Sequence, residues 1–413
     1  MRSLNVSPGQ ALSPAANESV APPAQLTRPL LLTMAVACGL AIANLYYNQP
    51  LLPQIARYFH VSDSQVGVLP MLTQAGFALG VFLLAPLGDT VERRRLILVM
   101  LALVTVALAW AALSPNLLCL SVASLAIGIT SVISTQVLPF AVQLGRPEER
   151  GKTVGSIASA MLIGVLLSRT LSGAVGEAFG WRVMYGVASA LMIGLALVLN
   201  RLLPYSHPTI TLPYKKLIHS MWHLTREHAV LREATINGML LYGSLSAFWA
   251  TLVFLVESPA YHYGETVAGM FGLVGALGAL GAPITGRLAD KRSPRTLVGF
   301  AAIAMLVGFL VLWGFGTHLA GLIVGVIVLD LAAQTATVSN QATVYSLAPE
   351  AHSRLYTIYR ASYSMGGSIG AYLGVYAWSL YGWNGVCAVG VGLLLIALAF
   401  HWRASKNVVV IPE

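Results

Sequence analysis

"GWRVMYGV" at residues 180–187 returns 202 positions later as "GWNGVCAV" at 382–389. The same spacing recurs around it. "RPEERGKTVGSIA" (146–158) matches "APEAHSRLYTIYR" (348–360) at 202, and Asp89 and Asp290, each closing a loop after an apolar run, stand 201 apart. Chance rarely places several landmarks at one offset. The chain reads as two copies of one unit in parallel relation.

Composition says what the unit is made of. Of 413 residues, 57% are hydrophobic and 9% charged, against about 25% charged in soluble domains. This describes an all-α polytopic membrane protein. The 39 glycines suit transmembrane helices packed closely through small residues. Twelve apolar runs can each cross about 30 Å of hydrocarbon: 30–53, 64–87, 95–113, 117–142, 153–175, 182–203, 233–256, 265–287, 295–315, 319–347, 355–378 and 384–402. The expected fold is therefore two pseudo-symmetric six-helix bundles, at 29–203 and 233–403. Residues 1–28, rich in Ala, Pro and Ser, read as a disordered tail without a signal peptide, and 404–413 as a second tail. No room is left for a soluble domain.

The net charge of +9 sits in short loops, which argues against a nucleic-acid partner. Arg93, Arg94, Arg95, Arg146, Arg150, Lys152, Lys291, Arg292 and Arg295 share one face, while Arg57 and Arg182 lie at the other. The positive-inside pattern then makes both termini cytoplasmic, in a cell (inner) membrane. The linker, 204–232, carries Lys215, Lys216, Arg226 and four of the nine histidines. It reads as an amphipathic segment on an anionic membrane face, and no metal site is assigned to it. Cys38, Cys119 and Cys387 fall in separate apolar runs, with neither disulfide nor metal spacing.

"TGRLADKRSPR" (285–295) resembles the loop signature G-x-L-A-D-[RK]-x-G-x-[RK] of the major facilitator superfamily, with Ser293 in place of the second glycine. The first-half copy, "APLGDTVERRR" (85–95), keeps Leu87, Asp89 and the arginines, and departs at Ala85, Thr90 and Glu92. Span five looks like the antiporter signature G-x8-G-x3-G-P-x2-G-G through Gly155, Gly164 and Gly173. Ser168 and Ser172 replace glycines there, and Arg169 replaces the proline. Span four has Ser124 where an R-x-x-Q-G arginine is expected. "NLYYNQPLLPQIA" and "SAFWATLVFLVESP" most resemble bacterial drug and purine-nucleoside exporters. The resemblance implies the twelve-helix fold of that superfamily and transport of a small-molecule solute. It also implies a conformational latch at Asp89, Arg93, Arg94, Asp290, Lys291 and Arg295, whose structural alternative is a set of solvated loop charges.

Asp330, in "IVLDLAAQ" (327–334), is the one formal charge between His318 and Glu350. It stands roughly 16 Å into span ten at 1.5 Å per residue. With Gln334, Thr337 and Gln341 it forms a polar stripe on one helix face. Two readings fit: a polar contact between helices, or a cavity carboxylate that loads and releases a proton. Arg169, deep in span five, either snorkels outward or meets Asp330 or Glu257; Arg360 reads as snorkelling to the inner face. Candidate solute contacts are Asn44, Tyr47 and Asn48 on one face of span one, Gln74, Phe248, Trp249, Gln334 and Tyr363. Tyr46, Trp249 and Tyr363 fit packing roles equally well.

No Walker loop, H-E-x-x-H or G-x-S-x-G occurs, so an embedded enzyme finds no support. A twofold repeat favours rocking halves over a channel or sensor. The expectation is a cofactor-free monomer performing proton-coupled efflux of a drug, nucleoside or related metabolite; the alternative is a proton-coupled importer.

Overall fold

The computed structural model describes residues 26–206, 214–279, 293–348 and 351–407, and among them every regular element is helical. Ten stretches are long and apolar enough to cross a membrane. The last, Ser353–Ala404, is two helices in series, because Gly382 leaves helical geometry at φ 56° and ψ −144°. Counting it as two, and adding the apolar helix Glu265–Ala279, gives the twelve spans read from the sequence.

The repeated "GW" is a tight turn. Gly180, between Arg150–Phe179 and Trp181–Leu202, has φ 91°, and Gly382 has φ 56°. Glycine takes positive φ without steric cost. The tryptophans that follow, Trp181 and Trp383, are both buried. Each half thus turns from its fifth to its sixth span on the same two residues. Gly164 and Gly366, again 202 apart, share a second task. A Cβ on Gly164 would meet the backbone of Gly39 in span one, and a Cβ on Gly366 that of Met239 in span seven. Such close approach lets backbones of neighbouring membrane helices pack directly.

Span one is not a continuous helix. Arg28–Ala43, capped by the Thr27 side chain, gives way to a turn before Asn48–Phe59. The link is tightened by bonds to the third residue back: Leu45 N–H to Ile42 O (3.1 Å), Tyr46 N–H to Ala43 O (3.0 Å) and Gln49 N–H to Tyr46 O (3.2 Å). Pro50 and Pro53 follow and supply no N–H, so a regular α-helical ladder fails here.

The two halves are bound together at the end bearing Arg57. Its guanidinium meets Glu257 at 2.8 Å and Glu265 at 3.2 Å. Beside it the Thr266 N–H donates to Glu177 Oε2 (2.8 Å), and Thr170 Oγ1 donates to the Gly269 carbonyl (3.0 Å). Ser368 Oγ likewise donates to the Met71 carbonyl (2.8 Å). Towards the basic end span five stands free: Val154, Gly155 and Ala158 are exposed, and a Cβ on Gly155 would meet nothing within 4 Å.

The linker contains the helix Tyr214–Glu227. Its apolar face packs on protein rather than lying free for lipid, for Met221 is buried with Leu231, Leu355 and Tyr359. Tyr214 Oη donates to the Leu83 carbonyl (2.8 Å), and Arg354 Nη1 donates to Ser220 Oγ (3.0 Å). The helix is therefore tied to both halves.

Candidate functional site

Between the halves lies a cavity of about 270 Å³. Span ten lines it with the whole polar stripe, Asp330, Gln334, Thr337 and Gln341. Span five brings Arg169, span one Tyr46 and Gln49, span seven Tyr242 and Trp249, and span eleven Tyr356, Arg360 and Tyr363. The described lining runs from Arg169 to Ala158 and Tyr356, away from the joined end.

Trp249 stands at the centre. The Arg169 guanidinium lies over its ring, 3.9 Å from the centroid, and over Tyr46 at 4.8 Å. The indole Nε1–H donates to Asp330 Oδ1 at 3.1 Å. One face thus meets the cation and one edge meets the carboxylate. Arg169 Nε donates to Gln49 Oε1 (2.9 Å). No ion pair joins Arg169 to Asp330 or Glu257 among the described residues, and Glu257 is taken by Arg57. Nor does Arg169 snorkel, being 6% exposed. Aromatic faces and an amide oxygen replace the carboxylate a buried arginine was expected to need. Room for Asp330 comes from span eight, where a Cβ on Gly275 would collide with Oδ2.

Below this pair is a tyrosine cluster. Tyr46 and Tyr242 hydroxyls are 3.0 Å apart, and Gln74 Nε2 donates to Tyr242 Oη at 3.2 Å. Tyr242 stacks on Tyr363, with centroids 4.0 Å apart and planes at 13°. Arg360 does not reach for the inner face. It lies 5.4 Å from the Phe77 centroid and 5.2 Å from that of Tyr363, on the cavity wall.

Of the expected solute contacts, Trp249, Gln334 and Tyr363 line the cavity, as do Asp330 and Arg169. Gln74 stands one layer behind, reaching it through Tyr242. Asn44, Tyr47, Asn48 and Phe248 are placed elsewhere. Asn44 Nδ2 donates to Met192 Sδ (3.6 Å), Asn48 Nδ2 to Thr73 Oγ1 (2.9 Å), and the Tyr47 carbonyl accepts from Ser172. All three serve the first half's own packing, and the non-helical link turns Tyr46 and Gln49 to the cavity instead. Phe248 is fully buried against Trp249 and Trp383. Tyr242, Gln49 and Arg360 carried no sequence signal that separates a cavity residue from a packing one.

The latch is described in part. Asp290, Lys291 and the side chain of Asp89 lie outside the described residues. Arg93 Nε donates to Gly88 O (3.0 Å) and Nη1 to Gln143 Oε1 (2.8 Å). Arg94 bonds Asn200 and covers the Tyr205 ring at 4.4 Å. Arg295 pairs with Glu233 at 3.0 Å, which also faces His401 Nδ1 at 3.4 Å. The contacts described for these arginines run to their own half or, for Tyr205, to the start of the linker. Among the described residues, the ion pairs between halves are those of Arg57, at the opposite end. Among the described residues no three His, Cys, Asp or Glu side chains converge as metal ligands would.

The family model described as Major Facilitator Superfamily matches residues 34–352 and 234–410. The chain is 38% identical to the "Uncharacterized transporter YgaY" of Escherichia coli O157:H7, over 92% of this chain and 96% of that one. It is 29% identical to the "Probable transporter SCO4007" of Streptomyces coelicolor, over 92% and 87%. Its fold is similar to the crystal structure of a bacterial homolog of the human lysosomal transporter Spinster in an inward-facing, occupied conformation. The TM-score is 0.74 at 14% identity, covering 92% of this chain and 97% of that one. With a repeated six-span unit around a central cavity, and family and relatives matched over nearly its whole length, the chain is a multi-pass membrane transporter, not an enzyme, and belongs to the Major Facilitator Superfamily.

Proposed function

We propose that this secondary transporter couples a small organic solute to protons through Asp330, by alternating access. One observation carries the reading: Asp330 is the only carboxylate on the described cavity wall, and Trp249 connects it to the buried Arg169. A carboxylate in such a place can change charge as water and solute come and go. The basic face is cytoplasmic on this reading, so the cavity faces inward. Export in exchange for protons is supported by the spacing of Gly155, Gly164 and Gly173 in span five. Import together with protons is favoured by a different observation, the excess of guanidinium over carboxylate in the cavity.

The test begins with a thermal-shift screen of purified protein against nucleosides, drugs, sugars and organic acids. Hits then enter proteoliposomes under a pH gradient. Exchange collects solute on the acid side and co-transport on the alkaline side, whichever way the protein is inserted. Asp330→Asn preserves shape but cannot titrate, so gradient-driven accumulation should collapse while the protein still binds its solute. Full accumulation in that variant would leave Asp330 a structural contact.

A further inference from the structure

We infer that the cavity selects a small organic anion, an aromatic carboxylate being the simplest that fits. The inference rests on the transport reading and names the solute class for the same site.

Charge is the first argument. The described lining carries two guanidinium groups, Arg169 and Arg360, and one carboxylate, Asp330. The sequence from Ala276 to Thr285, which follows Gly275 in the chain, contains no residue of either charge. The described wall of a cavity between membrane helices therefore carries an excess positive charge, and an entering anion relieves it.

Geometry is the second. Both guanidinium groups lie over aromatic rings contributed by the opposite half. Arg169, from the first half, lies over Trp249 of the second, and Arg360, from the second, lies over Phe77 of the first. An aromatic ring attracts the cation but is no substitute for an oxygen acceptor, so the N–H donors keep their capacity for one. Arg169 spends Nε on Gln49, and its terminal nitrogens have no hydrogen-bond partner among the described residues. Arg360 has none at all among them. Two open forks in a wet cavity match the in-plane oxygens of a carboxylate.

Shape is the third. Trp249, Tyr46 and the stacked Tyr242–Tyr363 pair offer flat apolar faces beside the forks. A volume of about 270 Å³ lies just below the roughly 300–1,000 Å³ usual for ligand pockets. That suits one or two rings better than a large drug.

The experiment compares three molecules of one shape and three charges: benzoate, benzamide and benzamidine. Binding is read by thermal shift and tryptophan fluorescence, with the protein in nanodiscs of neutral lipid so that no anionic headgroup competes. Benzoate, or a larger aromatic carboxylate such as indole-3-acetate, should bind, and its amide and amidine should not. Arg169→Gln and Arg360→Gln should each weaken the carboxylate roughly tenfold or more. Arg360→Lys, keeping charge without the fork, should fall between. The proposal is overturned when benzamide or benzamidine binds as tightly as benzoate, or when no aromatic carboxylate binds. It is equally overturned when the arginine variants lower thermal stability but leave carboxylate affinity unchanged, which is the mark of struts between the halves. The wild-type charge series decides even where a variant fails to fold. Proton-linked flux of benzamidine would remove the anion proposal and leave coupled transport standing, whereas carboxylate binding without any proton-linked flux would do the reverse.

Discussion

Trp249 holds a cation on its face and a carboxylate on its edge, and the two contacts can be separated by substitution. Trp249→Phe keeps a ring under Arg169 and removes the N–H that Asp330 accepts. A hydrogen bond to a charged group is worth about 1.5–3 kcal/mol. The variant should therefore fold, bind solute within a few-fold of the parent and lose about ten- to a hundredfold in proton-driven flux. Flux equal to the parent's would show that the indole only packs. Individual residues were unevenly legible in the sequence. Asp330, Gln334, Thr337 and Gln341 could be read because one uninterrupted helix, Leu319–Tyr345, keeps its period throughout. Arg360 was misread because counting residues from a helix end gives depth and not direction. Its side chain turns inward to Phe77 and Tyr363, which only the packed neighbours could reveal.

At the scale of elements, spacing was legible and function within the spacing was not. Gly155, Gly164 and Gly173 belong to one pattern, yet their surroundings differ. A Cβ at Gly164 would meet the Gly39 backbone, one at Gly173 the Glu265 backbone across the halves, and one at Gly155 open space. Overpacking commonly costs about 1–3 kcal/mol. Gly164→Val should thus lower the unfolding temperature by several degrees in nanodiscs, while Gly155→Val should leave it nearly unchanged. Equal effects of the two would mean that span five is held by something other than the approach to span one. Span one taught the opposite lesson. Its candidate face, Asn44, Tyr47 and Asn48, assumed a regular helix through residue 48, and the bonds to the third residue back break that assumption. Prolines at 50 and 53 stand in plain view in the sequence, but the change of face that precedes them does not.

For the whole molecule, the fold was legible almost entirely, because a repeat, a hydropathy pattern and a span length all constrain the same two bundles. The conformational state was not, since it depends on which end's contacts win. The structure is joined at the Arg57 end, where one guanidinium bridges to Glu257 and Glu265 of the other half. Arg57→Gln removes both pairs and leaves the nearly buried Glu265 with a weaker partner. It should shift the population toward opening at that end, read as faster labelling of a cysteine placed at Thr266 and slower labelling of one at Gly155. Labelling rates unchanged at both positions would reduce the Arg57 pairs to exposed ion pairs of the kind worth about 0–1 kcal/mol.

Two guanidinium groups and one carboxylate also determine how the cycle meets membrane voltage. With Asp330 ionised and the cavity empty, the wall carries one net positive charge. With an organic anion bound and a proton on Asp330, it carries the same. Both journeys between the two faces then move equal charge, and a complete turn of co-transport is electrically silent. A potential of 100 mV acts on each uncompensated elementary charge with about 2.3 kcal/mol, and here what it does on one journey it undoes on the other. A neutral solute travelling with the same proton would carry current. On the anion reading, a co-transporter is therefore driven by concentration and pH differences without the voltage, whereas a proton exchanger would feel the voltage as well.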